Sequence, residues 1–181
     1  VNQYLDDIPF KSSNYKFNID FVRKLKIDLI NFIKEDGKVS KIFLDITKNN
    51  DFIDIKEFKY TENNNLILIE KLKLNKNFFS SLKKITIKTF EKNYLKNDFT
   101  INFDKTIKIS GNKYDAKNLN KFFTKKSKVN LLKKINSEVD IDIKSIDTPL
   151  WKKLKNFRLI GIIQKGKFVK ISSKGDFGEN K

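Results

Sequence analysis

The chain predicts a mainly β fold, an antiparallel sheet with two or three short helical insertions. Three observations predict it. Apolar residues recur at every second position through most of the sequence, which puts one face of each segment in a core. Polar turn signals such as Lys165-Gly166 and Asp104-Lys105-Thr106 separate these segments, so neighbouring strands pair. Hydrophobic residues make up 39% of the 181 residues, with 17 Phe and only 6 Gly and 2 Pro, which is enough apolar material for a core and excludes a low-complexity chain.

Taken in order, residues 1–12 are polar, contain Pro9 and read as a connector. Tyr15, Phe17 and Ile19 alternate as a strand. The period then changes: Val22, Leu25, Leu29, Phe32 and Ile33 follow helical spacing and Gly37 stands where a helix would end, so a helix is expected over Val22–Asp36. A strand through Leu25, Ile27 and Leu29 is the rival. Period two returns at Ile42, Leu44 and Ile46. In the next strand Ile53 and Ile55 are out of phase with Phe58 and Tyr60, which predicts a bulge between them. Leu66 to Leu74 is apolar on both faces at its start. Phe78 to Lys84 reads as a short helical or irregular connection, and Ile85 and Ile87 resume a strand that breaks near Asn93.

Phe99, Ile101 and Phe103 alternate, and Ile107 and Ile109 return on the same face, with Gly111 closing the hairpin. Asp115 can cap a helix with apolar side Leu119, Phe122 and Phe123. Thr124 to Lys134 is a basic linker, with room for a helical turn at Val129, Leu131 and Leu132. Val139, Ile141 and Ile143 form an apolar strand face opposite Asp140 and Asp142. Thr148-Pro149 suggests a cap and first-turn proline before Leu150, Trp151 and Leu154. A last hairpin spans 156–177. Centred on Lys165-Gly166, it sets Gln164 opposite Lys167, then Ile162 opposite Val169 and Ile160 opposite Ile171 on one face, with Ile163–Phe168, Gly161–Lys170 and Leu159–Ser172 on the other.

Reaction chemistry has little to stand on. With no Cys and no His, thiol chemistry, disulfides, imidazole acid–base catalysis and the common zinc sites are excluded. Asp6-Asp7, Glu35-Asp36 and Asp140/Asp142 are carboxylates adjacent in sequence only, and read as solvated surface. The serine pairs Ser12-Ser13, Ser80-Ser81 and Ser172-Ser173 have no histidine to activate them. Gly175-Asp176-Phe177-Gly178 is a turn without the loops a kinase requires. No glycine-rich phosphate loop is present. The expectation is a non-enzyme with no cofactor and no metal.

The net charge is +17, which raises nucleic acid as a partner. Almost all of it is Lys; Arg23 and Arg158 are the only arginines, and sequence-specific readers rely on the planar guanidinium fork. Lys, Asn and Ile are enriched together, as AT-rich codon usage produces. The basic–aromatic segments at 121–126 and 151–153 read as aromatics packed inward beneath snorkelling lysines. Specific nucleic-acid binding is therefore not expected. The longest mostly apolar run, Leu159 to Ile163, is too short to cross a bilayer. With Val at position 1, no Met and no signal peptide, the chain reads as an internal piece of a longer protein.

Three segments together resemble the AsmA-like superfamily, in particular YhdP-like proteins with a DUF3971-type region: LINFIKEDGKVSKIFLDI (Leu29–Ile46), IKISGNKYDAKNL (Ile107–Leu119) and LIGIIQKGKFVKISSKGDF (Leu159–Phe177). The resemblance divides the chain into 1–20, a connector and first strand, and 21–181, a segment of that family's β-groove. It implies an extended, twisted antiparallel sheet forming an open groove. It further implies the periplasmic portion of an inner-membrane-anchored protein of a diderm bacterium, handling phospholipid between inner and outer membrane. The family has no catalytic residues to transfer. The expected partners are phospholipid acyl chains, flanking segments of the same long chain, and the membrane through an anchor outside this piece. The groove lining expected from the strand faces is Phe99, Ile101, Phe103, Ile107, Ile109, Val139, Ile141, Ile143, Ile160, Ile162, Val169 and Ile171. A basic nucleic-acid-binding module and a closed structural β domain are the rival readings.

Overall fold

The computed structural model describes residues 12–76, 78–124, 136–150 and 152–177. The predicted connector before Ser12, nearly all of the basic linker at 124–134, and Trp151 lie outside them. Within them the chain is strand after strand: β1 (Ser13–Phe21), β2 (Leu25–Ile27), β3 (Phe32–Lys34), β4 (Ser40–Lys48), β5 (Phe52–Glu62), β6 (Asn65–Asn75) and β7 (Phe78–Ser81). Then come β8 (Lys84–Glu91), β9 (Tyr94–Phe103), β10 (Thr106–Asp115), a short helix α1 (Leu119–Thr124), β11 (Ser137–Asp147), β12 (Lys153–Gln164) and β13 (Lys167–Phe177).

All but β2 and β3 join one open sheet in the order β1-β4-β5-β6-β8-β9-β10-β11-β12-β13, with β7 paired to β6. Turn chemistry sets most of this order. Lys92 and Asn93 both take positive φ (45° and 68°), as do Lys165 and Gly166 (49° and 75°), the primed-turn geometry that matches strand twist. The phase slip expected in β5 is present: Asp45 pairs with Glu57 and Ile46 with Ile55, leaving Lys56 as the extra residue. Phe78 to Ser81 is a short strand rather than a helical connection.

Three further expectations about the fold are corrected. The sheet is mixed rather than antiparallel throughout, because β10 and β11 run parallel from Thr106↔Glu138 to Asp115↔Asp147. A parallel neighbour requires a crossover from one end of the strands back to the other, and the chain between Asp115 and Ser137 supplies it.

The second correction is the helix over Val22–Asp36. The structure has a hairpin there, β2 paired to β3 around a 3-10 turn at Asp28–Ile30, with Asn31 left-handed at φ 47°. Ile30, Phe32 and Lys34 alternate into the interior while Leu29 and Ile33 stay exposed. The helical spacing had grouped Phe32 with Ile33; in a strand these adjacent residues face opposite ways. Lys34 is buried because its ammonium donates to three backbone carbonyls, Val22 (2.9 Å), Arg23 (2.9 Å) and Glu35 (3.1 Å). Gly37, with φ 78°, is not a helix terminus; its N–H closes the base of the hairpin on Val22 O at 2.9 Å.

The third is the turn after Thr148. It does not become helical: the Thr148 hydroxyl and N–H both bond Lys152 O (2.8 and 3.2 Å), and Leu154 lies in β12, packed on the core.

Candidate functional site

Following the strand register across the sheet shows that its apolar residues line up in rows. One row runs Phe17, Leu44, Phe58, Ile69, Ile85, Ile101, Ile109, Ile141 and Leu159 from β1 to β12. Two residues along each strand, on the same face, a second runs Ile19, Ile42, Tyr60, Ile67, Ile87, Phe99, Gly111, Ile143 and Phe157. A shorter third row joins Phe103, Ile107, Val139, Gly161 and Ile171. Phe99, Ile101, Phe103, Ile107, Ile109, Val139, Ile141 and Ile143 therefore share one face, as their spacing predicts. Gly111 lies within β10 rather than at its end. A Cβ there would stand 2.3 Å from Asp98 O, so only glycine permits the approach of β9.

The last hairpin is corrected by one residue. Gln164 opposes Lys167 and Ile163 opposes Phe168, but Ile162 then pairs with Lys170, leaving Val169 as a bulge. Past the bulge Gly161 pairs with Ile171 and Ile160 with Ser172. Ile171 therefore joins the apolar rows, while Ile160 and Ile162 face the other side of the sheet, and Ile160 is two-thirds exposed (67%). The extra residue inverts the facing of everything beyond it, which simple alternation does not register.

The half of the rows contributed by β1 to β8 is absent from the predicted lining. Its signal was available: each strand's alternation together with the turn-fixed register joins Phe17 to Ile85 in the same row.

The two long rows differ in cover. Ile30 and Phe32 from the β2–β3 hairpin, with Ala116 and Leu119 beyond β10, pack over the second row, where Tyr60, Ile67, Ile87, Phe99 and Ile143 are buried. Phe32 meets Tyr60 edge-on at 5.8 Å. Leu44, Phe58, Ile69, Ile85, Ile101, Ile109 and Ile141 of the first row are half-buried.

Beyond the covered row the same face turns polar and stays buried. Asn97, with no exposed surface, donates to Ile30 O and Thr89 Oγ1, both at 2.8 Å, and accepts the Asp115 N–H at 2.9 Å. Asp115, equally buried, accepts from Lys96 Nζ (2.8 Å), Asn31 Nδ2 (2.9 Å) and the Lys117 N–H (3.2 Å). Asn118 donates to Asn31 Oδ1, and the Tyr114 hydroxyl donates to Leu29 O at 2.8 Å. Burial pushes the Asp115 carboxyl up, but Lys96, Asn31 and the Lys117 N–H outweigh it and hold the carboxyl below its ordinary value. Burial disfavours the Lys96 ammonium too, and the bonds to Asp115 and Glu91 more than offset this, so its pKa is raised. Burial, with the charge of Asp115 beside it, pushes the Tyr114 hydroxyl up to about 12. This network clamps the hairpin onto the sheet.

The opposite face carries mostly polar and charged residues, with Phe43, Leu66, Leu68, Ile160 and Ile162 among them. Charges alternate across strands and pair, as in Lys16–Asp45 (3.5 Å), Lys84–Glu70 (3.6 Å) and Arg158–Asp142 (3.2 Å). Among the described residues no group of His, Cys, Asp and Glu is arranged to hold a metal ion, and no helix is long and apolar enough to cross a membrane. Comparison with family models, curated proteins and solved structures finds no match to this chain.

Proposed function

We propose that the chain is a non-enzymatic, lipid-handling segment whose apolar sheet face seats the acyl chains of phospholipid. The observation that carries the reading is the unbroken row from Phe17 to Leu159, half-buried along most of its length and crossed by no polar side chain. Holding an acyl chain out of water is worth about 0.8 kcal/mol per CH₂, and a row of this kind supplies that contact without a reacting group. The resemblance of the three sequence segments to AsmA-like proteins supports an envelope setting, with transport between inner and outer membrane as the role and the apolar sheet face as one stretch of a longer conduit. The open sheet edge at β1, with an unbroken ladder to β4, suits pairing with a flanking strand of such a chain.

The test is a charge in the row. Ile101→Asp places an unpaired carboxylate in the path of an acyl chain. The expected result is a variant that keeps its circular dichroism spectrum and much of its melting temperature, while a photo-crosslinker at position 101 or 103 of the parent captures lipid and lipid transfer by the variant is lost. Unfolding of the variant together with no lipid crosslink would establish a closed core instead.

A further inference from the structure

The register gives the sheet two rims, and they differ in charge. At one rim lie the 22–39 connection and the turns 62–65, 91–94, 115–119 and 147–153. Their described residues carry nine basic and seven acidic residues, close to balance. At the other lie the tips 48–52, 75–84, 103–106 and 164–168, whose described residues carry seven lysines and two aspartates. The polar face between the rims sets lysines against carboxylates. A marked part of the excess positive charge on the described chain is therefore gathered along one line of hairpin tips.

The same tips expose aromatic rings. Phe78 is 64% exposed, Phe168 48% and Phe52 38%. The first two tips are tied side by side: Phe52 and Phe78 both pair with Asn75, and the Lys76 N–H bonds Asp51 O at 2.8 Å. Tyr94 and Leu150 on the other rim are also exposed, but above balanced charge. Charge is thus what distinguishes the rims.

We infer that the rim bearing Phe52, Phe78 and Phe168 docks on the surface of an anionic lipid bilayer. Lysines near such a surface gain from its negative potential, and rings at the tips of rigid hairpins reach into the headgroup layer, where amphipathic and aromatic groups settle. Single-stranded nucleic acid also favours lysines beside aromatics. It needs a groove that tracks a backbone, whereas these tips form a line of separate projections, as a flat surface requires. The inference does not rest on the acyl-chain reading: a rim can dock whether or not the apolar face carries lipid.

The experiment is co-sedimentation with vesicles of phosphatidylcholine, with and without phosphatidylglycerol. The parent should bind only the anionic vesicles, and less tightly as salt rises. Replacing the exposed Lys83, Lys105 and Lys167 by Glu should weaken binding on the order of 100-fold, from about 1 kcal/mol per lysine. The control triple, Lys41, Lys59 and Lys88 to Glu on the polar face, should change it far less. Phe52→Ser with Phe78→Ser should weaken binding at unchanged charge. Equal losses in the two triples, absence of binding to anionic vesicles, or tighter rim-dependent binding to single-stranded RNA would each overturn the inference.

Discussion

Asp115 shows what a single carboxylate does in this sheet. It ends β10, receives the Lys96 ammonium and the Asn31 amide, and so ties the β2–β3 hairpin to the strands beneath. Removing its charge leaves Lys96, with 16% of its side chain exposed, facing only the solvated Glu91. Asp115→Asn should therefore lower stability at neutral pH by about 3 kcal/mol, the scale for breaking a buried pair, measured by denaturant titration. The acid limb gives a second readout. The carboxyl is held below its ordinary value in the folded state, so its stabilisation is fully present above the unfolded value of about 4. It is lost as pH falls from there through the folded value. In Asp115→Asn the melting temperature should fall less steeply through that window than in the parent.

At the scale of elements, the β2–β3 hairpin is an excursion between two strands that pair directly, since β1 and β4 keep register up to Phe21↔Ser40. Replacing residues 22–39 by a two-residue Asn-Gly turn is compatible with that ladder. It strips the cover from Tyr60, Ile87, Phe99 and Ile143 and removes the burial of Ile30 and Phe32, worth about 1.5–3 kcal/mol each. The expected outcome is a folded but destabilised sheet with a marked rise in binding of a hydrophobic dye; unchanged dye binding would show that the hairpin does not seal this row. The same element shows why part of the fold was not legible. The strands could be read because period two and turn residues act locally, and even the bulge at Lys56 left a phase slip. In the hairpin, Val22, Leu25, Leu29, Phe32 and Ile33 satisfy a helical period by coincidence. The residue that decides against it, Lys34, is a charge that points inward because of carbonyls supplied by the hairpin's own base. The clamp was equally hidden: Asn31, Thr89, Asn97 and Asp115 are distant in sequence, and nothing local marks them as buried. In the candidate site, the β9–β11 rows were legible from alternation, whereas the bulge at Val169 was not, because its Val looks like any other strand residue.

For the whole molecule, the two sheet edges are unlike. β13 carries Lys167, Lys170 and Lys174 and a bulge, devices that discourage an added strand, whereas β1 pairs with β4 through an unbroken ladder and exposes Tyr15, Phe17 and Ile19. The β1 side is the better surface for continuing the sheet. The parallel pairing of β10 with β11 divides the ladder differently, and its consequence lies in time. Strands β4 to β10 pair with near neighbours in sequence, and β11 to β13 form a second local meander. Each block can assemble through short loops, while the junction between them requires closure of a long connection before any of its bonds form. The junction is therefore the late event of folding and the early event of unfolding. Val139→Ala, at a buried position paired with Ile107, should accelerate unfolding with little change in the folding rate, while Ile87→Ala, inside the first block, should slow folding. Stopped-flow kinetics of the two variants would read this order directly, and hydrogen exchange should find the amides of the junction opening before those within either block.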